Sequence, residues 1–181
     1  MEKKISKSLN KLDNVNHWIS NCDTKSSFVL ALFGIILTII FTSNIGAEMV
    51  KMFSCEKVKS VDWQSIKYFI CIISIIAFFV GIIVTICYIY MTLKGRINPN
   101  VYNQDGLNTD SNIFFGTISS KKFKDFERST NDEADEKYLS DINSQTFINS
   151  NIANEKFKNY NKSLISMLIT LSWFLLFIIL K

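Results

Sequence analysis

From Ser26 to Ala47 the chain carries no ionisable side chain, and the windows 68–93 and 164–180 likewise hold no Asp, Glu, Lys or Arg. A helix rises about 1.5 Å per residue, so roughly 20 apolar residues cross the hydrocarbon of a bilayer. By that measure Phe69–Met91 covers about 35 Å and Leu164–Leu180 about 26 Å. Inside lipid only helices and closed barrels satisfy the backbone, and these windows lack the alternation of a barrel strand. An all-α membrane protein with three transmembrane helices is therefore expected. The polar lead of 25 residues before the first window is long for a signal peptide and includes acids. The first window is accordingly read as a retained span, with Ile45-Gly46-Ala47 the cleavage site that the alternative would use.

Basic residues give the orientation. Five Lys precede the first span and ten Lys or Arg follow the second, against five on the opposite side. The positive-inside rule then puts the N-terminus and the long segment after span two in the cytoplasm. The expected organisation is a cytoplasmic amphipathic helix over 1–25, spans over 26–47, 68–93 and 164–181, and a short outer loop over 48–67. A cytoplasmic region over 94–163 completes it. The expected location is the inner (plasma) membrane, crossed several times.

Ile5, Leu9, Leu12, Val15, Ile19 and Cys22 recur at steps of three and four, an amphipathic stripe that either packs on other cytoplasmic helices or lies on lipid. Ser27, Ala31, Gly34 and Thr38 in span one, and Ser74, Ala77, Gly81 and Thr85 in span two, form small-residue stripes. Such stripes let helices approach closely. They are expected to face each other or a neighbouring subunit, with a polar-lined conduit as the sharper alternative. Gly95 and Pro99 should end the helix of span two. Beyond a loop over 98–110, Ser111–Ile118 reads as an extended segment or a short helix, and Lys121–Arg128 as helical. Asp132–Lys162 opens with acids, as helix starts do, and is expected to lead into span three.

There is no phosphate-binding Gly loop or His pair, His17 is the only imidazole, and the four scattered cysteines have no zinc spacing. An enzyme is not expected, and neither a metal nor a cofactor. Spans without charged groups also argue against a coupled transporter. From the residues alone the chain is a small membrane protein whose helical cytoplasmic part senses something and acts on its spans.

Several motifs carry a family likeness: Asn14…Trp18-Ile19…Asp23-Thr24-Lys25 before the first span, Pro99, and Ser111…Ile113-Phe114-Phe115-Gly116…Ile118. A last set, Ile142…Gln145…Ile148…Asn151-Ile152…Lys156-Phe157, precedes the final span. In these the chain resembles the Pycsar transmembrane effectors of bacterial antiphage defence, over nearly its whole length. It departs from the family at Ser26, where a small residue is usual, and at Phe157, where a Lys-Tyr pair is usual. The resemblance implies that a partner cyclase makes a cyclic pyrimidine mononucleotide on infection. The effector binds it, cyclic CMP or cyclic UMP, and impairs the inner membrane, causing abortive infection.

Such a ligand offers one negative phosphate and a flat base, suited to a cation, amide donors and aromatics. The expected ligand-binding residues are Asp23, Lys25, Arg96, Asn98, Phe114 and Phe115, where the Asp23-Thr24-Lys25 segment meets Phe114–Gly116. The structural alternative makes the two Phe core residues and pairs Asp23 with Lys25 or Arg96. The expected partners are the lipid bilayer, the cyclic nucleotide, the cyclase and, through the Gly34 and Gly81 faces, further copies in a homo-oligomer. No nucleic acid is expected. The alternative function is a small membrane scaffold or regulator that recruits a protein through 111–162 without nucleotide.

Overall fold

A computed structural model describes residues 1–53, 63–95, 99–102 and 104–181. Six α-helices account for most of these, and no strand occurs among them. They are α1 (Glu2–Thr42), α2 (Asn44–Phe53), α3 (Trp63–Lys94), α4 (Phe115–Ser120), α5 (Phe123–Asn131) and α6 (Asp135–Leu180), with a 3-10 turn at Pro99–Tyr102. Three of them, α1, α3 and α6, are long and apolar enough to cross a membrane. Both polar leads run straight into apolar helix: α1 is continuous over 41 residues and α6 over 46.

The chain forms two compact units, one of Met1–Asp23 with Gly95–Phe157, the other of Thr24–Lys94 with Lys158–Lys181. The second unit is built around Phe33, Ile40, Met49, Cys71, Ile75, Phe78, Ile82 and Phe177, with Phe78 and Phe174 ring centroids 5.4 Å apart. Outside this core the helices present large apolar side chains, among them Phe28, Ile35, Ile39, Phe69, Ile83 and Ile179. Surfaces of that kind suit hydrocarbon and not water.

α1 stops at Thr42, before the uncharged window ends. Thr38 and Thr42 turn their hydroxyls back onto Gly34 and Thr38 carbonyls, and Ser43 bonds the Ile40 carbonyl. Such back-bonding competes with the helix ladder and bends it. Gly46 then comes so close to the Phe41 carbonyl that a Cβ there would sit 3.1 Å from it. α2 starts at this turn, and its Glu48 ion-pairs with Lys181 after the end of α6.

The two small-residue stripes have different fates. Ser27, Ala31, Gly34 and Thr38 are all exposed, and a Cβ on Gly34 would meet nothing within 4 Å. On α3, by contrast, Ser74 and Thr85 are buried and Gly81 abuts α6. A Cβ on Gly81 would lie 2.3 Å from Thr170 Oγ1, while Thr85 donates a hydrogen bond to Ser166 at 2.9 Å. The stripes therefore do not face each other. The α3 stripe meets Ser166 and Thr170 of α6, and Gly81 is used within the chain instead of between copies.

Gly81→Ala should therefore destabilise the detergent-solubilised protein by about 1–3 kcal/mol through overpacking, with part of the loss restored by adding Thr170→Ala. Gly34→Ala, whose Cβ would meet nothing within the chain, should not lower the thermal midpoint of the monomer.

Candidate ligand site

The first unit takes its shape from helices whose inward faces are apolar stripes with polar residues set into them. On α1 the stripe Ile5, Leu9, Leu12, Val15, Ile19, Cys22 is buried or half-buried, with Cys22 fully enclosed. It packs on α6, where Ile142, Ile148 and Ala153 are buried; Asn149 Nδ2 donates to Asn16 Oδ1 at 2.8 Å, and Trp18 meets the Phe157 ring edge-on at 6.0 Å. The same face of α6 also buries Asp141, Ser144, Gln145 and Lys156.

Lys156 is the centre of this arrangement. It is 5% exposed, and its Nζ lies 2.5 Å from Asp23 Oδ1. A buried ammonium is costly unless a counter-ion and hydrogen bonds compensate it. Gly95, just past the end of α3, makes the room. Its φ of +58° suits glycine, and a Cβ there would come within 2.6 Å of Lys156 Cε. Segments from both α1 and the end of α3 thus converge on one side chain of α6. Beside Lys156 along α6, Ala153, Asn154 and Phe157 join Val15 and Trp18 of α1 around a cleft of ≈ 400 Å³. That volume lies in the range of small-molecule sites, and its two aromatic rings offer a stacking surface.

The loop after span two is organised by Asn112. Its backbone N–H donates to Asp141 Oδ2 at 2.8 Å, and its Nδ2 to the Ser129 carbonyl and Glu133 Oε1. Its Oδ1 accepts from Lys121 Nζ and Ser129 Oγ. Ser111 Oγ accepts the N–H groups of Ile113 and Phe114 and so closes the turn that precedes α4. The Ser111–Ile118 segment is thus a turn leading into a short helix. Phe114 packs over Gly116, whereas Phe115 is 77% exposed with its ring centroid 4.7 Å from that of Phe114. These two rings are not core residues. A hydrogen bond from Lys121 holds the Asp110 carboxyl below the ordinary carboxylate range; slight burial opposes this, and the charges of Lys121 and Lys137 add to it.

Among the six residues expected at the site, Asp23, Phe114 and Phe115 fall in this unit. No hydrogen bond, ion pair or ring contact joins Asp23 to either Phe. Asp23 pairs with Lys156 and not with Lys25, which is exposed and belongs to the second unit. Arg96 and Asn98 lie outside the described residues. The sequence reading missed Lys156 as a partner of Asp23, Trp18 as a neighbour of Phe157, and Asn112 as a hub. Among the described residues no group of His, Cys, Asp and Glu is arranged to hold a metal ion.

Two comparisons bear on this arrangement. The family described as the Pycsar effector protein domain matches residues 7–181. The Pycsar effector protein GmPycTM of Gulbenkiania mobilis is 38% identical over 171 residues, covering 89% of this chain and 87% of that protein. No solved structure matches.

The asymmetry of the ion pair sets an expectation. Asp23 is 39% exposed at its side chain and Lys156 only 6%, so losing the carboxylate takes this counter-ion from the more deeply buried charge. Asp23→Ala should cost about 1–3 kcal/mol, less than breaking a fully buried pair, because one partner is half-exposed. Lys156→Met should cost clearly less, because the stranded carboxylate reaches water. Denaturant titration of both variants in detergent checks the order. For Asp110 the lowered folded pKa means a stabilisation present above the unfolded carboxyl value and lost as pH falls through the folded one. A carbon-13 carboxyl titration should show that Lys121→Met returns Asp110 towards its ordinary range.

Proposed function

The chain belongs to the Pycsar effector family, and on that premise we propose that it is an antiphage effector that binds a cyclic pyrimidine mononucleotide and then impairs the cell's inner membrane. A partner cyclase supplies the ligand, and the unit of Met1–Asp23 and Gly95–Phe157 is the cytoplasmic sensor. The observation that carries the ligand assignment is the buried Lys156, paired with the half-exposed Asp23, in the same unit as the Trp18–Phe157 cleft. A cyclic nucleotide brings one anionic phosphate and one flat base. The phosphate can take the place of the Asp23 carboxylate on Lys156, a charge-assisted contact of the same kind. The base can lie against Trp18 and Phe157, with Asn154 near enough on α6 to read its polar edge.

This site keeps Asp23 from the residues singled out in the sequence and adds Lys156, Trp18 and Phe157. The exposed Phe114–Phe115 pair is a second aromatic surface in the same unit. Lys25, with Arg96 and Asn98, is not needed for the ligand contacts proposed here.

A ligand shifts a conformational balance only if it binds the two states differently. Exchanging a carboxylate for a phosphate on Lys156 does so, because it releases α1 from α6 at Asp23. Both helices continue beyond these residues without a break. Release on the ligand side therefore alters the restraint on two helices that are apolar enough to cross the membrane. Homo-oligomerisation is proposed through the exposed Gly34 face, since Gly81 is occupied by α6.

Calorimetry on the solubilised full chain with cyclic CMP and cyclic UMP tests the site. Lys156→Met and Trp18→Ala should each weaken binding of the preferred nucleotide at least tenfold, about 1.4 kcal/mol or more. Phe115→Ala measures the contribution of the second surface. Undiminished affinity in both Lys156→Met and Trp18→Ala rules out this site. Release of an entrapped dye from liposomes on adding nucleotide tests the membrane half of the reading, and a ligand-independent or absent release rejects it.

A further inference from the structure

The second unit contains a groove of ≈ 460 Å³ between α3 and α6 that the reading above does not use. Ala77, Gly81 and Val84 line it from α3, and Ser166, Ile169 and Trp173 from α6. At one end Lys162 holds its ammonium 5.7 Å from the centre of the Tyr88 ring. Among the described residues no carboxylate is ion-paired with Lys162. The groove is thus apolar along its length and cationic at its mouth.

We propose that this groove holds one acyl chain of an anionic phospholipid, with the headgroup phosphate met by Lys162. Two features point to the occupant. Charge complementarity requires an anion at the mouth, and an aromatic ring with a lysine is the usual equipment of a membrane interface. From Lys162 to Trp173 the helix advances about 16 Å, which is about one leaflet, half of a hydrocarbon layer roughly 30 Å thick. A single hydrocarbon chain below an anionic headgroup fits the length and the charge together. Lipid seated here touches the Gly81–Thr170 crossing and Tyr88, so the composition of that leaflet bears directly on how α3 and α6 pack.

The inference rests on the membrane reading, and the test separates the two. Trp18→Phe with Trp63→Phe leaves Trp173 as the sole tryptophan of the three in the chain. That protein is reconstituted in phosphatidylcholine vesicles containing either brominated phosphatidylglycerol or brominated phosphatidylcholine at equal mole fraction. Bromine quenches Trp173 on contact. The anionic lipid should be preferred about fivefold, the usual effect of one lysine near a charged surface. Lys162→Gln should remove the preference, and Val84→Phe, which fills the groove, should reduce quenching by both lipids. Equal quenching by the two lipids, or a preference unchanged in Lys162→Gln, overturns the lipid site while leaving the membrane reading intact. So does an Ile169→Cys disulfide dimer forming in the membrane, because the groove would then be covered by a second copy. Quenching by neither lipid overturns the membrane reading itself.

Discussion

An ammonium group held almost entirely away from water determines much of the first unit. Lys156 needs a counter-ion, and Asp23 of α1 supplies it; it needs space, and Gly95 supplies that by lacking a side chain where φ is positive. Burying a cation in this way contributes little to stability on balance, because desolvation offsets most of the attraction. Its value lies in specificity: an apolar residue at position 156 would hold the helices together without caring which carboxylate, or which anion, sits opposite. A charge that must be matched can be matched by another anion, which is the exchange proposed above for the ligand.

The second unit follows a different logic. Hydrocarbon offers no reward for gathering apolar side chains, so its helices are held by close approach and by hydroxyl groups. Gly81 against Thr170 and Thr85 bonded to Ser166 are both of that kind. The Phe78 cluster adds dispersion, and the Glu48–Lys181 pair joins α2 to the residue after α6. Exposed Phe, Ile and Leu cover the remainder, as expected of surfaces whose solvent is lipid.

Much of this was legible in the residues, and the limits have physical reasons. The three long apolar helices follow from windows without charge, and the unbroken α1 and α6 from apolar stripes that run up to those windows. The α3 small-residue stripe was correctly read as a contact face, but its partner was misassigned. The series Ser163, Ser166, Thr170 on α6 shares the three-and-four spacing, and was the available signal. Lys156 had a signal too. Counting along α6 through Ile148 and Ile152, the next inward position four residues on is a lysine, and a charge at an inward position needs a partner. Nothing in the sequence says which one, because Asp23 is 133 residues away. The hub at Asn112 was equally hidden, since an asparagine in a polar loop reads as a turn former whether it makes one hydrogen bond or five.

Cys22 sits next to Asp23 on α1 and is completely enclosed. A thiol reacts through its thiolate and needs contact with reagent, so an enclosed one is inert while its surroundings stay closed. If α1 separates from α6 at Asp23, the neighbouring sulfur is uncovered in the same event. On the proposed opening, Cys22 would serve as a chemical clock: the rate at which it is alkylated would report the fraction of time that the helices spend apart.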